Sequence, residues 1–426
     1  MEITLPNKAS RIAALLLASA AFLLAATWIG KTYLGTRLGE TLTVQSLRYA
    51  IELDPGEALY HLQLGRLLQF SPATVDPEQA VAEMKQATRL SPYDPEAWRD
   101  LALALQLEGR AEESQPCLLR ADYLAPRLPA TQWDIANSFL LHGDIHEAFR
   151  HFKVVLAGTD QYNQILFNTL WKASGDGDQI LAEAIPNRVS LEFQYMLYLL
   201  NHGQLDDVRS VWRRVVAEPE GFAPAWASEY INRLITAHRV DEAYQVWDDL
   251  RTKGLIGDLE HPTAQNLVIN GDFEQEILNF GFDWRIDPAG DIYAGVDSTN
   301  YHSAGHSLLV QFSGKDNVDY HNVYQLVRVS PGHSYRLTAF LKTQGITTDS
   351  GPRLLVRDNY DPQLLAMRSE DLEGDSEGWR QVRVDFKTGP RTDLLVVAIV
   401  RLPSPKLVNQ IAGRVWVDDV NLVPLP

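Results

Sequence analysis

The chain has 426 residues, room for two or three domains with full cores, and a net charge of −17 at neutral pH. An acidic chain with no block of Lys and Arg lacks the footprint that phosphate backbones require, which argues against nucleic acid as a partner. From Ala264 onward 21 acidic residues face 15 basic ones, a net of −6, so both halves share the acidity. One cysteine, Cys117, leaves no internal disulfide framework and no cysteine-based zinc site.

Residues 12–30 come first as a structural element. Ile12–Ile29 carries no charge, and with Gly30 it makes 19 residues, about 28 Å as a helix and close to the hydrocarbon thickness of a bilayer. Lys8 and Arg11 precede it, Lys31 and Arg37 follow, and Trp28 and Tyr33 are placed for a membrane interface. A cleaved signal peptide is the competing reading, with Ala18-Ser19-Ala20 as the small-residue site. The apolar run continues past that site and exceeds the usual length of about 7–15 residues, which favours an uncleaved signal anchor. The short basic segment 1–11 is then expected in the cytoplasm, and the bulk outside a bacterial inner membrane.

The next 200 or so residues are periodic. Trp98, Leu101, Ala102, Leu105, Gly109, Ser114, Leu118, Ala121 and Pro126 are answered 34 residues later by Gln132, Ile135, Ala136, Phe139, Gly143, Ala148, Phe152, Val155 and Asp160. One period earlier stand His61, Leu64, Gly65, Leu68, Ala80, Met84, Ala87 and Pro92, with three extra residues in the turn at Ser71–Asp76. Small residues at two fixed positions let antiparallel helices approach, and large apolar ones fill the space between them. The pattern resembles the tetratricopeptide repeat, which implies an α-solenoid over 42–255. Weaker echoes lie at Leu47, Ala50 and Asp54-Pro55; at Leu166–Ala173 with Gln179–Ala184; at Gly203, Val208, Trp212 and Val215; and at Ala243, Trp247 and Leu250.

Such solenoids bind extended peptides or partner helices along an inner groove. The groove positions here are Glu96, Arg99, Leu103 and Gln106, then Ala130, Trp133, Asn137 and Leu140. Arg99, Trp133 and Asn137 are the protein-groove candidates, with Trp133 either a partner's hot spot or packed against the next repeat. The acidic turn Ser174–Asp178 lacks the spacing and closing Glu of a calcium loop, so Asp178 is expected to cap a helix.

After the segment 256–265, expected to be a linker, the hydrophobic period changes to two. Strands are expected at Ser307–Phe312, Val323–Val329, Ser334–Thr343, Arg353–Asp358, Trp379–Lys387, Leu394–Arg401 and Arg414–Leu422, an antiparallel β-sandwich or jelly roll over 266–426. Asn266-Leu-Val-Ile-Asn-Gly-Asp-Phe-Glu274, Trp284, Ala304-Gly-His-Ser-Leu308, Tyr324-Gln325, Pro331-Gly-His-Ser-Tyr335, Trp379 and Val415-Trp-Val-Asp-Asp-Val420 follow in that order. The set resembles carbohydrate-binding modules of the galactose-binding-like jelly-roll type.

That resemblance implies two sites. One is a structural calcium held by Glu274 with Asp418, Asp419 or both, completed by backbone oxygens near Gly305. The other is a glycan surface drawn from Tyr293, Tyr301, His302, Tyr320, His321 and Tyr324, with Asn317, Asn322, Gln325 or Arg357 for hydroxyls; aromatic faces stack on sugar C–H faces. Trp284, Trp379 and Trp416 are assigned to packing.

No nucleophile elbow, phosphate loop or zinc-helix motif occurs. His302 and His306 flank a turn, not a helix, so they are not read as a metal pair. The expected protein is a non-catalytic envelope scaffold in exopolysaccharide assembly, export or retention. The alternatives are a protein-binding adaptor with a sugar-silent jelly roll, and an unrecognised polysaccharide hydrolase.

Overall fold

The computed structural model describes residues 8–257, 259, 262–263 and 265–426. The expected leader 1–11 and linker 256–265 therefore lie partly outside the described residues. The chain divides into two compact units, Met1–Asn187 and Arg188–Pro426. The division falls inside the helical repeats rather than at 256–265.

The first unit opens with α1 (Lys8–Glu40), whose stretch from Arg11 is long and apolar enough to cross a membrane and whose most apolar window is exposed. Its end packs at Gly39, where a Cβ would lie 2.7 Å from the Tyr60 ring. After α2 (Val44–Leu53) come four helical hairpins of the tetratricopeptide type: α3 (Ala58–Phe70) with α4 (Pro77–Leu90), α5 (Pro95–Leu107) with α6 (Ala111–Leu124), α7 (Pro129–Leu141) with α8 (Ile145–Gly158), and α9 (Asn163–Ser174) with the short α10 (Gly177–Glu183).

Local sequence explains the starts and stops. Pro77, Pro95 and Pro129 open their helices, where the missing N–H is not needed, and Asp76 and Asp94 cap from the preceding position. Gly109 and Gly143, one period apart, take φ of 71° and 80° between paired helices, a conformation side chains resist. Gly65 has no room for a side chain: a Cβ would stand 2.7 Å from Met84 Cγ and 3.2 Å from the Ala80 carbonyl. The period was thus a packing signal. One expectation is corrected: Asp176, not Asp178, caps α10, accepting from the Gln179 N–H at 3.0 Å, while Asp178 sits in the first turn.

The second unit begins with α11 (Val189–Asn201), α12 (Leu205–Ala217), α13 (Ser228–Thr236) and α14 (Val240–Thr252). Glu192, fully buried, accepts from Arg214 Nε at 2.7 Å. Phe193, Trp212 and Phe222 interlock beside it. The β-sandwich follows, made of β1 (Arg285–Ile286), β2 (Tyr293–Asp297), β3 (Ser307–Ser313), β4 (Tyr320–Arg328), β5 (Ser334–Gln344), β6 (Arg353–Asp358), β7 (Ala366–Arg368), β8 (Arg380–Lys387), β9 (Leu394–Arg401) and β10 (Ala412–Pro424). The seven expected strands are present. β1, β2 and β7, short or weakly alternating, were not expected.

The strands form two antiparallel sheets, ordered β1-β4-β9-β6-β7 and β2-β3-β10-β5-β8. Their inner faces share one core that includes Trp284, Val310, Val323, Leu337, Val384, Val397 and Val417. The Asn266–Glu274 stretch ties the sheets together. Leu267 N donates to Leu422 O and Val420 N to Gly271 O, both at 2.8 Å, on one sheet. Gln325 of the other sheet pairs with both backbone groups of Ile269, at 2.9 and 2.7 Å. A Cβ on Gly271 would lie 2.1 Å from the Val420 carbonyl oxygen, so only glycine permits this approach.

The two outer faces differ. On the first sheet Leu326, Leu355, Leu394, Val396, Ala398 and Val400 alternate with core residues and so point outward, yet all are buried. The α13–α14 hairpin packs on this side. Tyr244 and Trp247 meet Phe282 and Phe280, Asp241 pairs with Arg328 at 2.5 Å, Arg285 donates to Asn232 at 3.1 Å, and Tyr360 donates to the Ile235 carbonyl at 2.9 Å. Gly281, with φ of 63°, admits Trp247 so closely that a Cβ would sit 2.3 Å from the indole. The outer face of the second sheet is open, with Gln311, Gln381, Arg383, Asp385 and Lys387 exposed along it.

Candidate functional site

Within the first unit, α5, α7 and the α8–α9 turn enclose a groove of about 700 Å³ lined by Arg99, Leu103, Trp133, Asp134, Tyr162 and Ile165, among others. Trp133 does both things the sequence offered. Its ring packs edge-on against Phe152 with centroids 5.8 Å apart and leans on Tyr162 at 5.6 Å, while it also lines the groove. Arg99 is in the groove as expected. Asn137 does not line this cavity; its amide donates to the Trp133 carbonyl at 2.9 Å and braces α7.

Charges line the groove in a ladder. Arg66 pairs with Asp100, and Arg99 bridges Asp100 at 3.0 Å and Asp134 at 3.6 Å. Burial pushes the Asp134 carboxyl up to about 6; Arg99 opposes that rise and Asp100 reinforces it. The groove therefore holds a carboxyl that burial makes easier to protonate than an exposed one. Sequence reading missed Asp100 and Asp134. The available signal was Asp100 and Asp134 recurring at a single repeat position, 34 residues apart, with Arg99 beside the first.

The glycan candidates scatter. Tyr320 is only 1% exposed and packs edge-on to Phe312 in the core, so it is corrected from surface to packing. Tyr324 points outward from the covered sheet beneath Arg285. His321 is exposed in a bulge of β4 and bonded to Asp319 at 2.9 Å. The hydroxyl-binding candidates are spoken for: Gln325 is buried on Ile269, Asn317 accepts from buried Arg401 at 2.7 Å, Asn322 donates to Pro288 O at 3.3 Å, and Arg357 donates to Asp358 O at 3.2 Å.

Tyr293, Tyr301 and His302 belong to the open side. Tyr293 stands at the sheet edge, 56% exposed, and Tyr301 is exposed beside His302. His302 stacks on Phe340 at 3.7 Å and meets Trp379 edge-on at 5.8 Å. Of the three tryptophans assigned to packing, Trp284 is in the sandwich core and Trp416 is packed too, only 3% exposed, although it lies between core residues Val415 and Val417 and so projects to the opposite face. There its indole donates to Asp297 at 2.6 Å and Lys342 lies over the ring, while Trp379 is half-buried beside His302.

The three carboxylates expected to hold calcium converge instead on one turn, 302–306. Glu274 accepts from the N–H groups of Gly305 and His306 at 2.8 and 2.7 Å, and meets His306 Nδ1 at 2.9 Å. Asp418, fully buried, accepts from the N–H groups of His302, Ser303 and Asp419. Asp419 accepts from the Ser303 hydroxyl at 2.6 Å and meets His302 Nδ1 at 2.5 Å. Among the described residues no three His, Cys, Asp or Glu side chains are grouped to hold a metal ion. These oxygens face N–H donors, which a cation repels, so the arrangement does not fit a calcium shell. It is a clamp that fixes the turn, with Ala304 at φ of 55°, against β10.

No protein-family model and no curated protein matches the chain. Solved structures to which it is similar fall into the two kinds its architecture suggests. A CBM4 module shares 20% identity, covering 37% of this chain and 99% of that one, with a TM-score of 0.27. The CBM22-1 and GH10 modules of Clostridium thermocellum xylanase 10B share 14%, covering 38% of this chain and 29% of that one, with a TM-score of 0.26. PilF of Pseudomonas aeruginosa shares 16%, covering 54% and 92%, with a TM-score of 0.27. This chain thus spans less than a third of the xylanase's length. At these scores the likenesses carry no weight alone, and the architecture rests on the hairpins and sheets themselves.

Proposed function

We propose that the protein is a non-catalytic, membrane-anchored scaffold of the bacterial envelope. In this reading α1 spans the inner membrane and the bulk lies outside it. The helical hairpins hold a protein partner, and the sandwich contacts glycan during exopolysaccharide assembly, export or retention. The observation that carries it is the groove of about 700 Å³, with a half-buried Trp133 flanked by Leu103, Tyr162 and Ile165. An amphipathic segment buries apolar side chains in such a groove and sets a cation against Asp134; Trp and Arg at the centre of a groove are the residues that dominate binding energy. The N-terminal helix and the order of motifs from Asn266 to Val420, which resembles that of sugar-binding modules, support the rest.

The test is a photo-reactive residue in place of Leu103 in the full chain, expressed in cells. A single cross-linked protein partner is expected, lost when Trp133→Ala is added while a cross-linker at Tyr93, exposed on the same unit, gives none. Equal cross-linking with and without Trp133 would overturn the groove as the docking site.

A further inference from the structure

The geometry points to an acidic polysaccharide as the ligand of the sandwich, laid across the outer face of the β2-β3-β10-β5-β8 sheet. This rests on the reading of the sandwich as a glycan binder and names which face and which chemical class. Two observations lead to it.

The first is elimination by packing. An extended polymer needs an open sheet face, and the outer face of the other sheet is filled by buried Leu326, Leu394, Val396 and Val400 and closed by α13–α14. The registers then fix what the open face presents. Outward positions of β5, β8 and β10 carry Arg336, Lys342, Arg383, Lys387 and Arg414.

The second is the charge balance on that face. Asp297, Asp385 and Asp418 share it and Asp419 borders its aromatic end, where it holds the Ser303 hydroxyl and His302; each is committed. Asp418 is buried on three N–H groups, Asp297 accepts from Trp416 and Thr299, and Asp385 forms a bidentate pair with Arg336 at 2.7 and 2.8 Å. Among the described residues Lys342, Arg383, Lys387 and Arg414 form no ion pair; Lys342 donates to Asn300 Oδ1 at 3.2 Å and Arg414 to Gln311 Oε1 at 3.1 Å, neutral partners that leave both charges unbalanced. Asp375, in the turn before β8, is bonded to Gly345 N at one end of the strip. In a chain of net charge −17, a face where unpaired cations collect is an exception that needs an anionic counterpart.

The neighbouring aromatics say what kind. His302, Phe340 and Trp379 form a half-exposed platform on the Lys342 side, and Tyr293 stands exposed at the far edge. Flat apolar surfaces interleaved with cations suit a polymer of sugar rings bearing carboxylates, with rings on the aromatics and acids on the cations.

The test uses the full chain in detergent micelles, titrated with oligogalacturonate, its methyl ester, a neutral xylan and glucan panel, and vesicles containing phosphatidylglycerol. Oligogalacturonate is expected to bind, to weaken steeply as salt rises, and to lose about tenfold in affinity in the Arg383→Gln/Lys387→Gln variant, whose altered side chains are solvent-facing. The ester is expected to bind much more weakly. Equal binding of acid and ester, or wild-type binding insensitive to salt, overturns the acidic class and leaves glycan binding intact. Failure of the oligogalacturonate, the ester and the neutral panel sinks the glycan reading as a whole. Binding of the vesicles that is weakened by the Arg383→Gln/Lys387→Gln change, with no binding of the oligosaccharide, overturns the proposal in favour of a membrane surface, since α1 alone would attach wild type and variant alike.

Discussion

Replacing Leu326 by Ala tests whether the outer face of the first sheet is closed. Leu326 projects away from the sandwich core, since its neighbours Gln325 and Val327 face inward, and a free-standing module would leave it in water. Substituting a solvated residue there changes stability by about 0.5 kcal/mol at most. In this structure Leu326 is only 6% exposed, beside Tyr244 and Phe282. Burying a leucine side chain contributes about 1.5–3 kcal/mol, and truncating a buried one to Ala costs about 2–5 kcal/mol with the void it leaves. Leu326 already lines a cavity of about 540 Å³, so little new contact is lost on that flank and the low end of the range applies: about 2–3 kcal/mol. The assay is urea unfolding of the full chain, followed by tryptophan fluorescence and fitted separately for each transition, because a chain of two units is not two-state. Gln311→Ala, exposed on the opposite sheet, serves as control and is expected to stay within about 0.5 kcal/mol. A Leu326→Ala loss no larger than that of the control would show the face to be open and would remove the elimination step from the glycan argument.

Three more outcomes are expected. Gly271→Ala sets a Cβ 2.1 Å from the Val420 carbonyl, and a loss of more than about 2 kcal/mol is expected in the same unfolding assay; an unchanged midpoint would mean that the first stretch is not held against β10. Asp283 is buried, accepts from Leu278 N at 2.7 Å, and is pushed up to about 6 by desolvation. Its folded pKa lies above the unfolded value of about 3.9, so its contribution to stability is present below that value and is lost as pH rises from about 4 to 6. Asp283→Asn is therefore expected to gain on wild type across that window and then level off, and a pH-independent difference between the two melting curves would refute the assignment. Chelator or millimolar Ca²⁺ is expected to leave the melting temperature unchanged, because Glu274 and Asp418 are already occupied by N–H groups; a rise of several degrees with Ca²⁺ would restore the metal.

Where the sequence could be read, it was because one physical constraint acted at each position. The 34-residue period records interhelical distance: Gly65 sits where a Cβ would strike Met84, and Ala102 and Ala136 fill the same place in the next two hairpins. Strands with one wet face, such as β8 with Val382, Val384 and Phe386 alternating with charges, were equally plain. Site residues were harder, because they depend on which side of a strand is covered. Tyr320 looked like a ligand contact by residue type alone; period two from Val323, Gln325 and Val327 would send it outward, and the bulge between Tyr320 and Val323 turns it into the core. Trp416 is buried, as its place in a motif suggested, but Val415 and Val417 beside it claim the inner face and period two sets the indole against Asp297 and Lys342 on the other.

The same rule held unused information about function. An antiparallel strand with one face in water alternates, whereas Leu394-Leu-Val-Val-Ala-Ile-Val400 does not. Such a run must be covered on both faces, and the sandwich core supplies only one cover. The other comes from α13–α14, which pack on the outer side of that sheet. Parity along β5, β8 and β10 then leaves Lys342, Arg383, Lys387 and Arg414 together on the remaining face. The continuous apolar run in β9 is thus the feature by which the sequence records the cover on that sheet, although it bears none of the residues proposed to contact glycan.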